Sequence, residues 1–75
     1  MPKIKKNIDL KILEKFGYED MGVCYRKYGY LKEQYYINKK TREIKRLHPY
    51  SFREIPTFDE ILDLVQADLV DMEDK

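Results

Sequence analysis

Seventy-five residues, 39% of them charged, predict one small domain near the lower limit at which a chain buries enough apolar surface to fold unaided. Ten Tyr and Phe with recurring Ile and Leu supply core material and argue against disorder. A single cysteine, Cys24, and a single histidine, His48, exclude an internal disulfide and the usual ligand set of a structural zinc. The net charge of +1 hides a split: residues 1–53 carry fourteen Lys or Arg against six Asp or Glu, whereas residues 54–75 carry eight acids and only Lys75. Asymmetry of this kind can drive docking, weak self-association or partner recognition.

Residues 1–6 are basic and unpatterned and predict a loose terminus, as do residues 73–75. Lys3, Lys5 and Lys6 are followed by no apolar stretch, and the longest run free of charge is Leu47 to Phe52, so the expectation is a cytoplasmic protein that neither crosses a membrane nor is exported. Asn7 or Asp9 can then cap a helix whose Leu10, Leu13 and Phe16 recur at i, i+3 and i+6, broadened by Ile12. Gly17 followed by apolar Tyr18 predicts its end, with the glycine left-handed and the tyrosine folded back on the last turn.

From Gly22 to Leu47, β-branched and aromatic residues alternate with charged ones, predicting three strands: Val23 to Tyr28, Glu33 to Ile37 and Arg42 to Leu47. A four-residue loop, Asn38 to Thr41, would set Tyr35 opposite Ile44 and Ile37 opposite Arg42; a three-residue loop would pair Tyr36 with Ile44. After a connector with two prolines, Thr57-Phe58-Asp59-Glu60 reads as a capping box opening a helix with a stripe of Phe58, Ile61, Leu62, Val65 and Leu69. Asp68 and Asp71 oppose the negative end of its dipole, so the helix should stop near Ala67.

These elements predict an α+β domain of order α-β-β-β-α, a small antiparallel three-stranded sheet with two helices packed on one face. The expected core is Leu10, Leu13, Phe16, Val23, Tyr25, Tyr35, Ile37, Ile44, Phe58, Ile61, Leu62, Val65 and Leu69. The succession Asp9-Leu10 to Leu13, Phe16-Gly17-Tyr18, Tyr36-Ile37-Asn38 to Thr41, Glu43-Ile44, and Thr57 to Leu62 on to Leu69-Val70 resembles short uncharacterised proteins of low-GC Gram-positive bacteria and their phages. A codon-level bias fits, since Lys, Ile, Asn, Tyr and Phe are abundant. The resemblance implies a small α+β protein of a mobile element and carries no functional residues with it.

Two surfaces are candidates for recognition. The strand alternation puts Arg26, Tyr28, Tyr36 and Lys45 on the face away from the core, with Lys39 and Lys40 at the hairpin tip; this basic, aromatic mixture is what single-stranded nucleic acid needs, and it is also ordinary for the solvent face of a strand. Asp59, Glu60, Asp63, Asp68 and Asp71 form an acidic run able to meet a basic partner, or simply to solvate a helix. His48 lacks a second ligand or base, and Cys24 lacks an adjacent base, so no catalytic residue, metal or cofactor is expected. The expected function is a non-enzymatic protein-binding or regulatory module, with nucleic-acid binding by the sheet face as the alternative.

Overall fold

The computed structural model describes residues 2–50 and 53–71. Its architecture is α+β, with two short helices, an antiparallel four-strand sheet and a two-strand sheet. The first helix, Leu10–Phe16, is a 3₁₀ helix opened by Asp9, whose side chain accepts the Lys11 amide at 3.0 Å. It closes as the Gly-Tyr pair predicts: Gly17 sits at φ +89°, its amide donates to the Glu14 carbonyl, and the Tyr18 amide donates to the Leu13 carbonyl at 3.2 Å. Tyr18 is thereby folded into the core.

The four-strand sheet runs in chain order: β2 (Glu19–Asp20), β3 (Cys24–Tyr28), β4 (Gln34–Asn38) and β5 (Ile44–Leu47). The expected sheet of three strands lacks β2, which is too short to leave a periodic signal. Neither expected hairpin register occurs: Ile37 lies opposite Ile44, Tyr36 opposite Lys45 and Tyr35 opposite Arg46. The cause is Asn38. Its side-chain oxygen accepts the amides of Lys40 and Thr41 at 2.7 and 2.9 Å, and its carbonyl accepts the Arg42 amide, so the four-residue loop starts one position later than predicted. Arg42 takes the left-handed conformation at φ +66° to close it. A loop moved by one residue moves the pairing by two, which preserves the faces; Tyr35, Ile37 and Ile44 do point the same way.

The N-terminal segment joins the fold instead of trailing from it. Strand β1 (Lys3–Ile4) pairs with β6 (Val70–Asp71), and Ile4 and Val70 enter the core. On its other side β1 covers the edge of the β4–β5 hairpin, with the Ile44 amide donating to the Pro2 carbonyl at 3.0 Å and the Ile4 amide to the Arg42 carbonyl at 2.9 Å. The Arg42 guanidinium completes the stitch by donating to the carbonyls of Lys5 and Ile8, each at 2.7 Å. Residues 73–75 lie outside the described residues.

The second helix departs most from expectation. It opens with a 3₁₀ turn, Asp59–Ile61, and continues as α1, Leu62–Gln66. The tighter 3₁₀ turn aligns Leu64 with Ile61, three residues before it, so both are fully buried and Leu62, expected inside, is turned outward; Phe58, also expected inside, is the cap residue ahead of the turn and is exposed. Val65 packs at the margin of the core and Leu69 within it. Only half of the capping box forms: the Thr57 amide donates to Glu60 Oε1 at 2.9 Å, but the Thr57 hydroxyl points to that same carboxylate instead of capping an amide. The helix stops where dipole arguments place it, and Asp68 occupies the left-handed position at φ +62°, with its amide bonded to the Val65 carbonyl and that of Leu69 to the Leu64 carbonyl.

One core unites these parts: Ile4, Leu13, Tyr18, Tyr25, Tyr35, Ile37, Ile44, Ile61, Leu64, Leu69 and Val70. Leu10 and Phe16 pack against its margin, while Val23, assigned to the core by alternation, lies before the first ladder pair of β3 and is 79% exposed.

Candidate partner-binding interface

In an antiparallel sheet, residues in register share a face, so the pairs Arg26–Tyr36 and Tyr36–Lys45 form one row across β3, β4 and β5. None of the residues on that face is buried, from Cys24, Arg26 and Tyr28 on β3 through Gln34, Tyr36 and Asn38 on β4 to Lys45 and Leu47 on β5. Tyr28 and Leu47 are each more than half exposed. The Arg26 guanidinium lies 4.9 Å from the centroid of the Tyr28 ring and reaches Glu19 at 3.5 Å, so its plane is already held for stacking. The Tyr36 hydroxyl donates to Gln34 Oε1, which fixes its ring over the sheet. A shallow depression beside the row is lined by Val23, Cys24, Tyr36, Asn38 and Lys45.

Four of the six basic and aromatic residues predicted for this face are therefore together: Arg26, Tyr28, Tyr36 and Lys45. Lys40 is exposed at the hairpin tip. Lys39 is not part of the face. Its ammonium pairs with Asp20 at 2.6 Å and lies 5.1 Å from the ring centroid of Tyr25, a residue of the inward face. The hydrogen bond between them raises the pKa of Lys39 and lowers that of Asp20.

The predicted acidic face is broken up by cations of the same chain. Glu60 is clamped by Arg53, which donates from both terminal nitrogens at 2.9 and 3.1 Å, and by buried Arg46, whose Nε lies 3.0 Å away. The Arg53 hydrogen bonds, the Thr57 amide and the two positive charges outweigh burial and hold the Glu60 carboxyl at about 2. Asp63 pairs with Lys27 at 3.1 Å and Asp68 with Lys5 at 2.7 Å, while Asp71 lies opposite Lys3 in the two-strand sheet. Asp59 remains exposed. The charge split of the sequence is thus substantially reconciled within the fold.

Alternation missed Arg46, which it would place on the apolar inward face. A lone arginine among Tyr35, Ile37 and Ile44 needs a carboxylate, and Glu60 supplies it. His48 accepts the Tyr50 amide at its Nδ1, 3.0 Å, and Cys24 is half-buried on the open face. Among the described residues no three His, Cys, Asp or Glu side chains are grouped to hold a metal ion, and no helix is long and apolar enough to cross a membrane. Comparison with protein-family models, curated proteins and solved structures finds no match in any of the three.

Proposed function

We propose that the chain is a small non-enzymatic module that binds another protein through the open face of its four-strand sheet. The observation that carries this reading is the row Arg26–Tyr36–Lys45, flanked by exposed Val23, Tyr28 and Leu47, on a face where no residue is buried. Tyrosine and arginine amid apolar neighbours supply much of the binding energy in protein interfaces, because both bury large area and retain polar ends, the tyrosine with only two rotatable bonds. The acidic residues contribute less to recognition, since Glu60, Asp63 and Asp68 already have cations. The resemblance to short proteins of Gram-positive bacteria and their phages supports a modulator of a host protein acting in the cytoplasm.

A photo-crosslinking residue at Lys45, introduced in the host cell, should trap one protein that the same residue at Lys11 does not, and Tyr36→Ala should abolish the product. Equal trapping from both positions would remove the sheet face from the reading. The aromatic ring held between two cations favours one alternative, single-stranded nucleic acid. Anisotropy with a labelled oligonucleotide at two salt concentrations separates them: binding that falls steeply with salt and is lost in Tyr36→Ala would replace the protein reading.

A further inference from the structure

Where the β3–β4 turn meets the start of the second helix, a groove is lined by Tyr18, Tyr28, Tyr30 and Tyr35 together with Lys27, Glu33 and Asp59. The turn is built around Glu33. Its carboxylate accepts the Leu31 amide at 2.7 Å and the Tyr35 hydroxyl at 3.0 Å, and a Cβ at Gly29 would overlap it, so a glycine makes room there. Glu60 also borders the groove, but its charge is matched by Arg46 and Arg53. Among the described residues neither Glu33 nor Asp59 has a basic side chain within ion-pair distance.

The chemistry of the lining is already in use once. Lys27 places its ammonium 5.3 Å from the ring centroid of Tyr18 and 3.1 Å from Asp63, a cation held between a tyrosine face and a carboxylate. The outer part of the groove offers the same two elements with no cation between them: Tyr30, whose ring is wholly exposed, and the carboxylates of Glu33 and Asp59. Leu31 on the turn and Phe58 and Leu62 beside Asp59 are exposed apolar side chains that the core leaves out. An anion is disfavoured by the carboxylates, and a purely apolar ligand would desolvate them without recompense.

We infer that this groove takes a lysine or arginine side chain of a partner polypeptide, its cationic head between the Tyr30 ring and the Glu33 and Asp59 carboxylates, its apolar neighbours against Leu31 and Phe58. The inference stands independently of the open sheet face.

The test is a titration of the full chain, followed by amide ¹H–¹⁵N spectra, with an acetylated Phe-Arg-Phe-Arg peptide and its Phe-Glu-Phe-Glu counterpart. The arginine peptide should shift the amides of residues 29–33 and 58–60, and the glutamate peptide should not. Tyr30→Ala combined with Asp59→Asn, both at exposed positions, should weaken binding about tenfold while leaving the rest of the spectrum in place. Tyr36→Ala should leave the titration unchanged, which separates this site from the sheet face. Shifts spread equally over Glu14 and Glu19, or affinity indifferent to the double substitution, would overturn the inference. Self-association abolished by the same double substitution would overturn it in favour of a second copy as the occupant.

Discussion

The two helices end alike and begin differently. Both close with a residue in the left-handed conformation whose amide donates to the carbonyl three residues back, followed by a residue whose amide donates five back, but the first places Gly17 there and the second Asp68. The first helix is specified by its neighbours in sequence: Asp9 caps it, Gly17 stops it and Tyr18 folds under it. The second is held by partners distant in sequence, with Arg46 and Arg53 on Glu60, Lys27 on Asp63 and Lys5 on Asp68. Local chemistry suffices where a glycine removes the cost of a positive φ. Where an aspartate must adopt it, the aspartate's short polar side chain tolerates the conformation and the lysine anchors it.

That contrast is broken most severely at Glu60. Glu60→Gln leaves Arg46 buried without its carboxylate while its amide oxygen can still accept the Thr57 amide, and should cost about 2 kcal/mol at neutral pH, measured by denaturant unfolding. The same residue makes stability depend on pH. Hydrogen bonding to Arg53 lowers the folded-state carboxyl from its ordinary 4.5 to about 2, so its contribution is complete above pH 4.5 and is lost as pH falls from there toward 2. Unfolding midpoints across that window should drop in the wild-type chain and drop less in Glu60→Gln; parallel curves would dissociate the ion pair from stability.

Gly17→Ala sharpens the comparison next. Nothing nearer than Lys27 Cε, at 3.6 Å, would meet the new methyl, so the penalty is one of backbone conformation alone, about 1 kcal/mol. The equivalent exchange in the second helix behaves differently. Asp68→Gly relieves the left-handed backbone but frees the unfolded chain and removes an exposed ion pair, and these offset to within about 0.5 kcal/mol. Asp68→Ala, which keeps the strain and loses the pair, should be the less stable of the two. If the alanine variant equals the glycine variant, the left-handed conformation of residue 68 is not the source of the difference.

The smallest effect belongs to Thr57. Because its hydroxyl caps no amide and shares the Glu60 carboxylate at 3.3 Å, Thr57→Ala should cost only a few tenths of a kcal/mol, well below the roughly 1 kcal/mol of a full N-cap. A loss of that full size would mean that the hydroxyl caps the first turn in solution.

Features written in adjacent residues were legible beforehand: the Gly17-Tyr18 stop, the alternation in β3 to β5, and the end of the second helix near Ala67. The Arg26–Tyr36–Lys45 row was legible for the same reason, since parity survives a two-residue slip. What escaped depends on groups far apart in the chain. Lys3–Ile4 is too short to show a period and becomes a strand only because Val70 and the hairpin edge are there to bond it. Lys39 leaves the basic face because β2 brings Asp20 to it. Leu62 falls outside because the helix opens with three residues per turn, which a pattern of apolar residues spaced three and four apart does not disclose, and Phe58 because it caps the turn from outside it. The tyrosine groove joins a turn to a helix some thirty positions away.

The pairing of β1 with β6 has a mechanical consequence. Lys3 lies opposite Asp71 and Ile4 opposite Val70 in antiparallel register, so force applied through residues 3 and 71 loads the ladder one rung at a time instead of shearing both together. The molecule should therefore unzip at its ends first, releasing β1 from the Ile44 amide while the four-strand sheet still holds. Stretching by optical tweezers would record this as a small, low-force extension ahead of the main rupture, and a single rupture would mean that the seam and the sheet yield as one.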